Sequence, residues 1–107
     1  MSQLTEIEML ALAAVARLGD EAYGVSIREE IERRTGRSVS IGSLYKTLHR
    51  LERQGLTGVT VGEPTGVRGG RAKKYVHLRP AGRAALGESV EALLRMVDGL
   101  DTAWRPT

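Results

Sequence analysis

Residues 40–56 read SIGSLYKTLHRLERQGL, and this stretch has the spacing of an amphipathic helix. Its two faces differ in chemistry. A solvated helix face usually carries both signs of charge, whereas the polar face of this helix carries only hydroxyl groups and cations. The face expected to be buried carries Ile41, Leu44, Leu48 and Leu51. The face expected to be exposed carries Ser43, Lys46, Thr47, Arg50 and Arg53.

Two further helices are predicted before this stretch. The first begins at about Glu6, where Thr5 and Glu8 have the spacing of a capping box, and it ends at Gly19. The second lies within residues 23–36, YGVSIREEIERRTG, and ends at the glycine that closes this segment. The first fifty residues therefore predict three helices in succession, the third capped by a serine.

The periodicity then changes from helical to alternating. LTGVTVGE at 56–63 and KKYVHL at 73–78 predict two strands of a hairpin, joined by the basic, glycine-rich tip EPTGVRGGRA. A nucleotide-binding loop is the competing interpretation of this tip, but it contains no GxxxxGK[ST] motif and its glycines lie between strands. Three helices followed by a basic hairpin indicate a mainly α (α+β) fold, the winged helix-turn-helix.

One more helix is predicted from Pro80 to about Trp104. At about 1.5 Å per residue it would be roughly 36 Å long, more than a body of this size needs, so it favours dimerisation over an extra core helix. We expect residues 1–79 to form a winged-helix domain and residues 80–107 a dimerisation helix, within one structural unit. The apolar residues of this helix are Leu86, Val90, Leu93, Leu94, Val97, Leu100 and Trp104.

The charges of the 107 residues are segregated along the chain. Residues 1–32 hold two basic and seven acidic side chains, residues 33–83 hold twelve and two, and residues 84–107 hold two and four. The central segment therefore has a net charge of +10 between acidic flanks. This distribution is typical of a polyanion-binding surface.

Composition also argues against several classes of protein. The chain has no cysteine and two isolated histidines, His49 and His77, which we interpret as a helix-flank and a strand residue. No spacing suggests a catalytic triad, so we expect no metal, no cofactor and no enzymatic activity. The apolar run MLALAAVA follows acidic residues and is too short to span a bilayer, which favours a core helix in an intracellular, cytoplasmic protein.

These features predict a protein that binds double-stranded DNA, with phosphate contacts from the hairpin and base contacts from the third helix. Tyr23, Tyr45 and Tyr75 lie beside the same surface, where a hydroxyl can donate to a phosphate or a ring can pack at the core edge. An alternative is a winged-helix module that binds an acidic protein. The expected phosphate contacts are Arg53, Arg68, Arg71, Lys73 and Lys74. The expected base contacts are Ser43, Lys46, Thr47 and Arg50.

Three segments resemble the PadR family of bacterial transcriptional regulators. They are YGVSI at 23–27, SIGSLYKTLHRLERQGL at 40–56 and GGRAKKYVHLRPAG at 69–82. The single tail helix is similar to that of the compact subgroup. The chain departs from the family pattern at Lys46, where proline is common, at Val76, where an aromatic is frequent, and at Arg79, where a capping threonine is usual.

The resemblance implies a homodimeric winged-helix repressor that binds an inverted repeat and is released by a small planar, aromatic or phenolic effector near the dimer interface. It implies dimerisation through the last helix with help from Leu4 and Ile7 of the first. By motif position it assigns contacts in the third helix to Ser40, Ser43, Tyr45 and Lys46. It assigns contacts in the wing to Gly70, Arg71 and Lys73.

Overall fold

The computed structural model describes residues 3–62 and 73–100, and it has the predicted winged-helix order. Helix α1 packs against the other three helices and against the hairpin, so it forms the centre of the fold. A short 3-10 turn at Gly19–Glu21 joins the first two helices. The helices and strands are α1 Glu6–Leu18, α2 Gly24–Thr35, α3 Ile41–Arg53, β1 Thr57–Val61, β2 Lys74–Leu78 and α4 Pro80–Val97.

The predicted helix ends are confirmed in α1 and α2. Thr5 Oγ1 accepts a hydrogen bond from the Glu8 backbone N–H, and the Glu8 carboxylate accepts one from the Thr5 backbone N–H at 2.8 Å. Gly36 ends α2 in the left-handed conformation, with φ 72°, which glycine adopts without a Cβ penalty. These ends follow from residues within one helical turn.

The core is aliphatic and is formed where α1, α2 and α3 meet. Leu12, Ile27, Leu44 and Leu51 are fully buried there. A buried carboxylate also joins two of these helices, since Glu30 of α2 accepts hydrogen bonds from three arginine side chains at the edge of the core. Because a buried carboxylate is stable only when it is paired, this cluster fixes α1 against α2. Its arginines are Arg17, Arg33 and Arg34.

The two strands form the predicted antiparallel hairpin, with Val61 opposite Lys74. The Val76 backbone N–H also donates to the Ala22 carbonyl at 2.8 Å, so the segment before α2 is hydrogen-bonded to β2. The side chain of Val76 is buried. The tip of the hairpin, residues 63–72, lies outside the described residues.

Helix α4 is joined to the body at its first turn. The Arg79 backbone N–H donates to the Leu56 carbonyl at 3.0 Å, and a Cβ at Gly82 would overlap the oxygen of that same carbonyl. Pro80 occupies the first helical position, while Arg79 supplies no side-chain cap. Gly82 is the one buried residue of α4, Leu86 is partly buried against the core, and most residues from Val90 onward are exposed.

The prediction that this helix continues to about Trp104 is wrong. It ends at Val97, and Gly99 adopts a positive φ of 81° that is incompatible with an α-helix. Trp104 itself lies outside the described residues. Within residues 3–62 and 73–100, none of the helices has both the length and the apolar character needed to cross a bilayer.

Candidate nucleic-acid interface

The buried side of α3 differs from its prediction at two positions. Thr47 is only 2% exposed, and its Oγ1 donates to the Ser43 carbonyl at 2.9 Å, so the prediction that it lies on the exposed face is wrong. Ile41, expected in the core, is 38% exposed. Thr47 completes the buried row because it follows Leu44 by three residues and precedes Leu51 by four, a spacing that is visible in the sequence.

The side of α3 that faces away from the core is solvent-exposed and positively charged. Lys46, Arg50 and Arg53 are all exposed, and within the described residues they form no ion pair. Ser43 is exposed at the edge of this side, while Ser40 accepts the Ser43 backbone N–H at 3.2 Å as the N-cap. Three unpaired cations on one helix face form a surface that attracts an anion.

The Tyr45 ring packs against the first residue of α2. Its ring, 52% exposed, lies over Gly24, where a Cβ would come within 2.5 Å of Tyr45 Cε1. Gly24 therefore leaves the space in which the Tyr45 ring packs. The hydroxyl end of the ring lies against Gly24 as well, since the same Cβ would come within 2.7 Å of the Tyr45 hydroxyl oxygen.

The two lysines at the base of the hairpin point to opposite sides of the sheet, because side chains alternate along a strand. Lys74 lines a cleft of about 300 Å³ between α3 and the hairpin. Lys73 lies on the other side, with its Nζ 4.2 Å from the centre of the Tyr23 ring. The Tyr75 ring meets the Tyr23 ring edge-on, with 5.8 Å between centroids. Tyr23 and Tyr75 thus form one aromatic cluster at the base of the hairpin.

The cleft brings together residues that sequence reasoning did not connect. His49 and Glu52 of α3 line it together with Tyr45, Val59 of β1 and Lys74 of β2. Both α3 residues lie on the flank between the buried leucines and the exposed cations, a position that the helical wheel shows. The wheel gives no sign that β2 faces this flank. His77 is exposed on β2 above Gly58, on the other side of the sheet, as a strand residue.

Three expected phosphate or wing contacts fall in the tip of the hairpin and lie outside the described residues. They are Arg68, Gly70 and Arg71. The residues that the structure brings together around the cleft are therefore Tyr45, His49 and Glu52 of α3 with Val59 and Lys74 of the hairpin.

The residues expected at a dimer interface divide into two groups. Leu4, Ile7 and Leu86 are partly buried against the core of their own chain. The apolar residues from Val90 to Leu100 are mostly exposed within the part of the chain that the structure describes, and Trp104 lies outside it. Their exposed fractions are Val90 40%, Leu93 57%, Leu94 58% and Leu100 42%, with Val97 half-buried.

Comparison with known proteins places this geometry in a family. The family model described as "Transcriptional regulator PadR-like family" matches residues 12–88. Transcriptional regulator Rv3488 of Mycobacterium tuberculosis is 46% identical over 74 residues, which are 69% of this chain and 64% of the relative. The chain thus matches somewhat less than two thirds of the length of that relative.

Two solved structures are similar over most of their length. A PadR-like transcriptional regulator from Bacillus cereus has a TM-score of 0.73 at 21% identity, covering 94% of this chain and 93% of its own, and at that identity it shows the fold alone. The protein smu.1704 from Streptococcus mutans has a TM-score of 0.72 at 29% identity, covering 91% and 84%. The family model and the sequence relative establish more than the fold: this chain belongs to the PadR-like family of transcriptional regulators.

Proposed function

We propose that this protein is a sequence-specific DNA-binding repressor that acts as a homodimer on an inverted-repeat operator in the cytoplasm. The observation that carries the proposal is the exposed row of Lys46, Arg50 and Arg53 on α3, on the side opposite the buried leucines, with no ion pair to any residue that the structure describes. A helix that presents such a row can enter the major groove, where arginine and lysine donate to guanine and to phosphates.

The two parts of the surface have different tasks in this proposal. Lys46 and Arg50, with Ser43 at the edge, read base pairs, whereas Arg53 and the lysines of the hairpin bind phosphates. Tyr45 contributes its hydroxyl at the same surface. Thr47 is excluded from this set because it is buried.

Dimerisation is supported by the exposed apolar side of α4. The part of α4 from Val90 onward has no buried residue, although it carries Leu93 and Leu94 at more than half exposure. A second copy of the chain that packs along this side removes that apolar surface from water. A two-fold dimer then presents two α3 helices, which is why we propose an inverted repeat as the operator.

A groove beside the exposed apolar side of α4 supports an effector site. The groove, with a volume of about 360 Å³, lies between the start of α1 and the middle of α4, with Leu4 and Met9 on one side and Ala85 and Ala92 on the other. It borders the exposed side of α4. We propose that a small aromatic or phenolic molecule binds there and changes the separation of the two α3 helices.

The decisive experiment is selection of bound fragments from the genome of the source organism, followed by titration of the selected duplex at several salt concentrations. We expect preference for a palindromic site and a steep fall in affinity with salt, with a slope of about 0.9 for each phosphate neutralised. Absence of preference over random DNA, or a response that is flat in salt, would overturn the proposal. Capture of an acidic protein together with failure to bind any fragment would support the alternative, a protein-interaction module.

A further inference from the structure

Tyr23 occupies a position that direct contact with DNA does not explain. It precedes α2, and its backbone N–H donates to Ser26 Oγ at 2.9 Å. The same Ser26 hydroxyl donates to the Glu21 carbonyl at 2.6 Å. The backbone of Tyr23 is therefore held by the first turn of α2, and its ring takes its direction from that turn.

The base of the hairpin meets this ring from two directions. Lys73 Nζ lies 4.2 Å from the ring centroid, within the range of a cation–π interaction. Tyr75 packs edge-on at an interplanar angle of 77°. A cation over the face and an aromatic at the edge are both favoured by the charge distribution of the ring.

The backbone of this part of the hairpin is held independently of the ring. The Gly62 backbone N–H donates to the Lys73 carbonyl at 2.8 Å, and the Val76 backbone N–H donates to the Ala22 carbonyl. With its main chain fixed on both sides, an exposed lysine still has several rotatable bonds. The Tyr23 ring is the group that selects one direction for the ammonium.

We propose that Tyr23 is a positioning residue that holds the Lys73 ammonium in place for a DNA phosphate, so that α2 determines where the wing binds. This inference rests on the proposed function, and it replaces a phosphate contact from the Tyr23 hydroxyl. The aromatic ring of Tyr23 is required to hold the Lys73 ammonium, and the Tyr23 hydroxyl is not. Holding the side chain before DNA arrives lowers the entropy lost on binding.

The first test needs no DNA. In the free protein, nuclear magnetic resonance should show the ε-methylene protons of Lys73 shifted upfield by the ring current of Tyr23. Tyr23→Phe should keep this shift, and Tyr23→Leu should abolish it. A Lys73 resonance that is the same in the wild type and in Tyr23→Leu would overturn this inference without affecting the proposed function.

The second test is a double-mutant cycle on the selected operator. Tyr23→Phe should bind as the wild type does, while Tyr23→Leu should lose about two- to fivefold in affinity, the equivalent of a cation–π contact. In the Lys73→Gln background, Tyr23→Leu should have no further effect. Equal losses in Tyr23→Phe and Tyr23→Leu would assign the contact to the hydroxyl, and additive losses would show that Tyr23 does not act through Lys73.

If Tyr23→Leu does not fold, a substitution of Lys73 can still test the inference, because Lys73 is exposed. Lys73→Gln changes one exposed residue, and it should lower the salt slope of binding by about one phosphate. An unchanged slope would overturn the inference. Failure of the wild type to bind any duplex would instead overturn the proposed function, and the resonance of Lys73 would still report whether the ring holds the ammonium.

Discussion

The ring of Tyr45 on α3 lies directly over Gly24, the first residue of α2, and no side chain larger than hydrogen fits beneath it. The two helices pack closely at this point, because the Tyr45 ring occupies the space that a Cβ of residue 24 would take. Because Tyr45 is also the aromatic residue beside the exposed cations of α3, this contact links the packing of α2 to the proposed DNA surface.

Gly24→Ala tests that link. We expect the half-exposed Tyr45 ring to swing away at a cost of less than about 1 kcal/mol in the free energy of unfolding, because alanine favours a helix. Operator affinity should fall by about 1 kcal/mol as the hydroxyl loses its position. In the Tyr45→Ala background the same change should leave affinity unaltered, and a further loss there would contradict the mechanism.

Lys46→Ala and Thr47→Val test the roles of two adjacent residues, of which Lys46 is exposed and Thr47 is buried. Removal of the exposed Lys46 should cost about 1–3 kcal/mol of discrimination between the operator and a variant site. Thr47→Val keeps the shape of a buried side chain and loses one hydrogen bond within α3, so discrimination should not change. Competition titrations with both duplexes measure this, and a change of preference in Thr47→Val would mean that Thr47 reaches the DNA.

Gly82→Ala should destabilise the fold at the first turn of α4. The added Cβ would overlap the Leu56 carbonyl oxygen, which belongs to the backbone and cannot move away alone. We expect a loss of about 1–3 kcal/mol in the free energy of unfolding, measured by urea denaturation. Gly87→Ala is the matched control, because that position is open space in the same helix, and it should gain up to about 1 kcal/mol.

Leu93→Asp tests the role of the exposed side of α4. A carboxylate buried without a partner between two copies is costly, so the dimer should weaken by at least about 100-fold in Kd. Arg95→Asp places the same group on the polar side of the helix and should leave the dimer intact. Sedimentation across a range of concentrations measures both variants, and a wild-type monomer at every concentration would remove dimerisation from the proposed function.

Local features of this fold were predictable because they depend on residues within one turn of each other. The Thr5–Glu8 capping box, the Ser40 cap and the left-handed Gly36 all require only short-range spacing. The same is true of the row of cations on α3, since a helical wheel places them opposite the leucines. The charge segregation predicts a polyanion-binding surface because it depends only on the order of residues in the chain.

The errors have two physical causes. A helical wheel assigns residues to faces, but it does not show which residues of each face the neighbouring elements bury. The body of the fold covers Thr47 and leaves Ile41 exposed, so the buried face of α3 is rotated towards Thr47 and away from Ile41. For α4, apolar spacing alone suggested a helix to Trp104, whereas it ends at Val97, where Gly99 takes a positive φ.

The order of elements, their ends and the identity of the basic helix are properties of the chain itself, because each depends on neighbours close in sequence. The packing of Tyr45 on Gly24 and of Lys73 on Tyr23, and the cleft that Glu52 and Lys74 both line, exist only after the helices and the hairpin have come together. These pairs are distant in sequence, and their distances depend on how the core packs. Tertiary structure therefore decided how the cations of the proposed DNA surface are positioned.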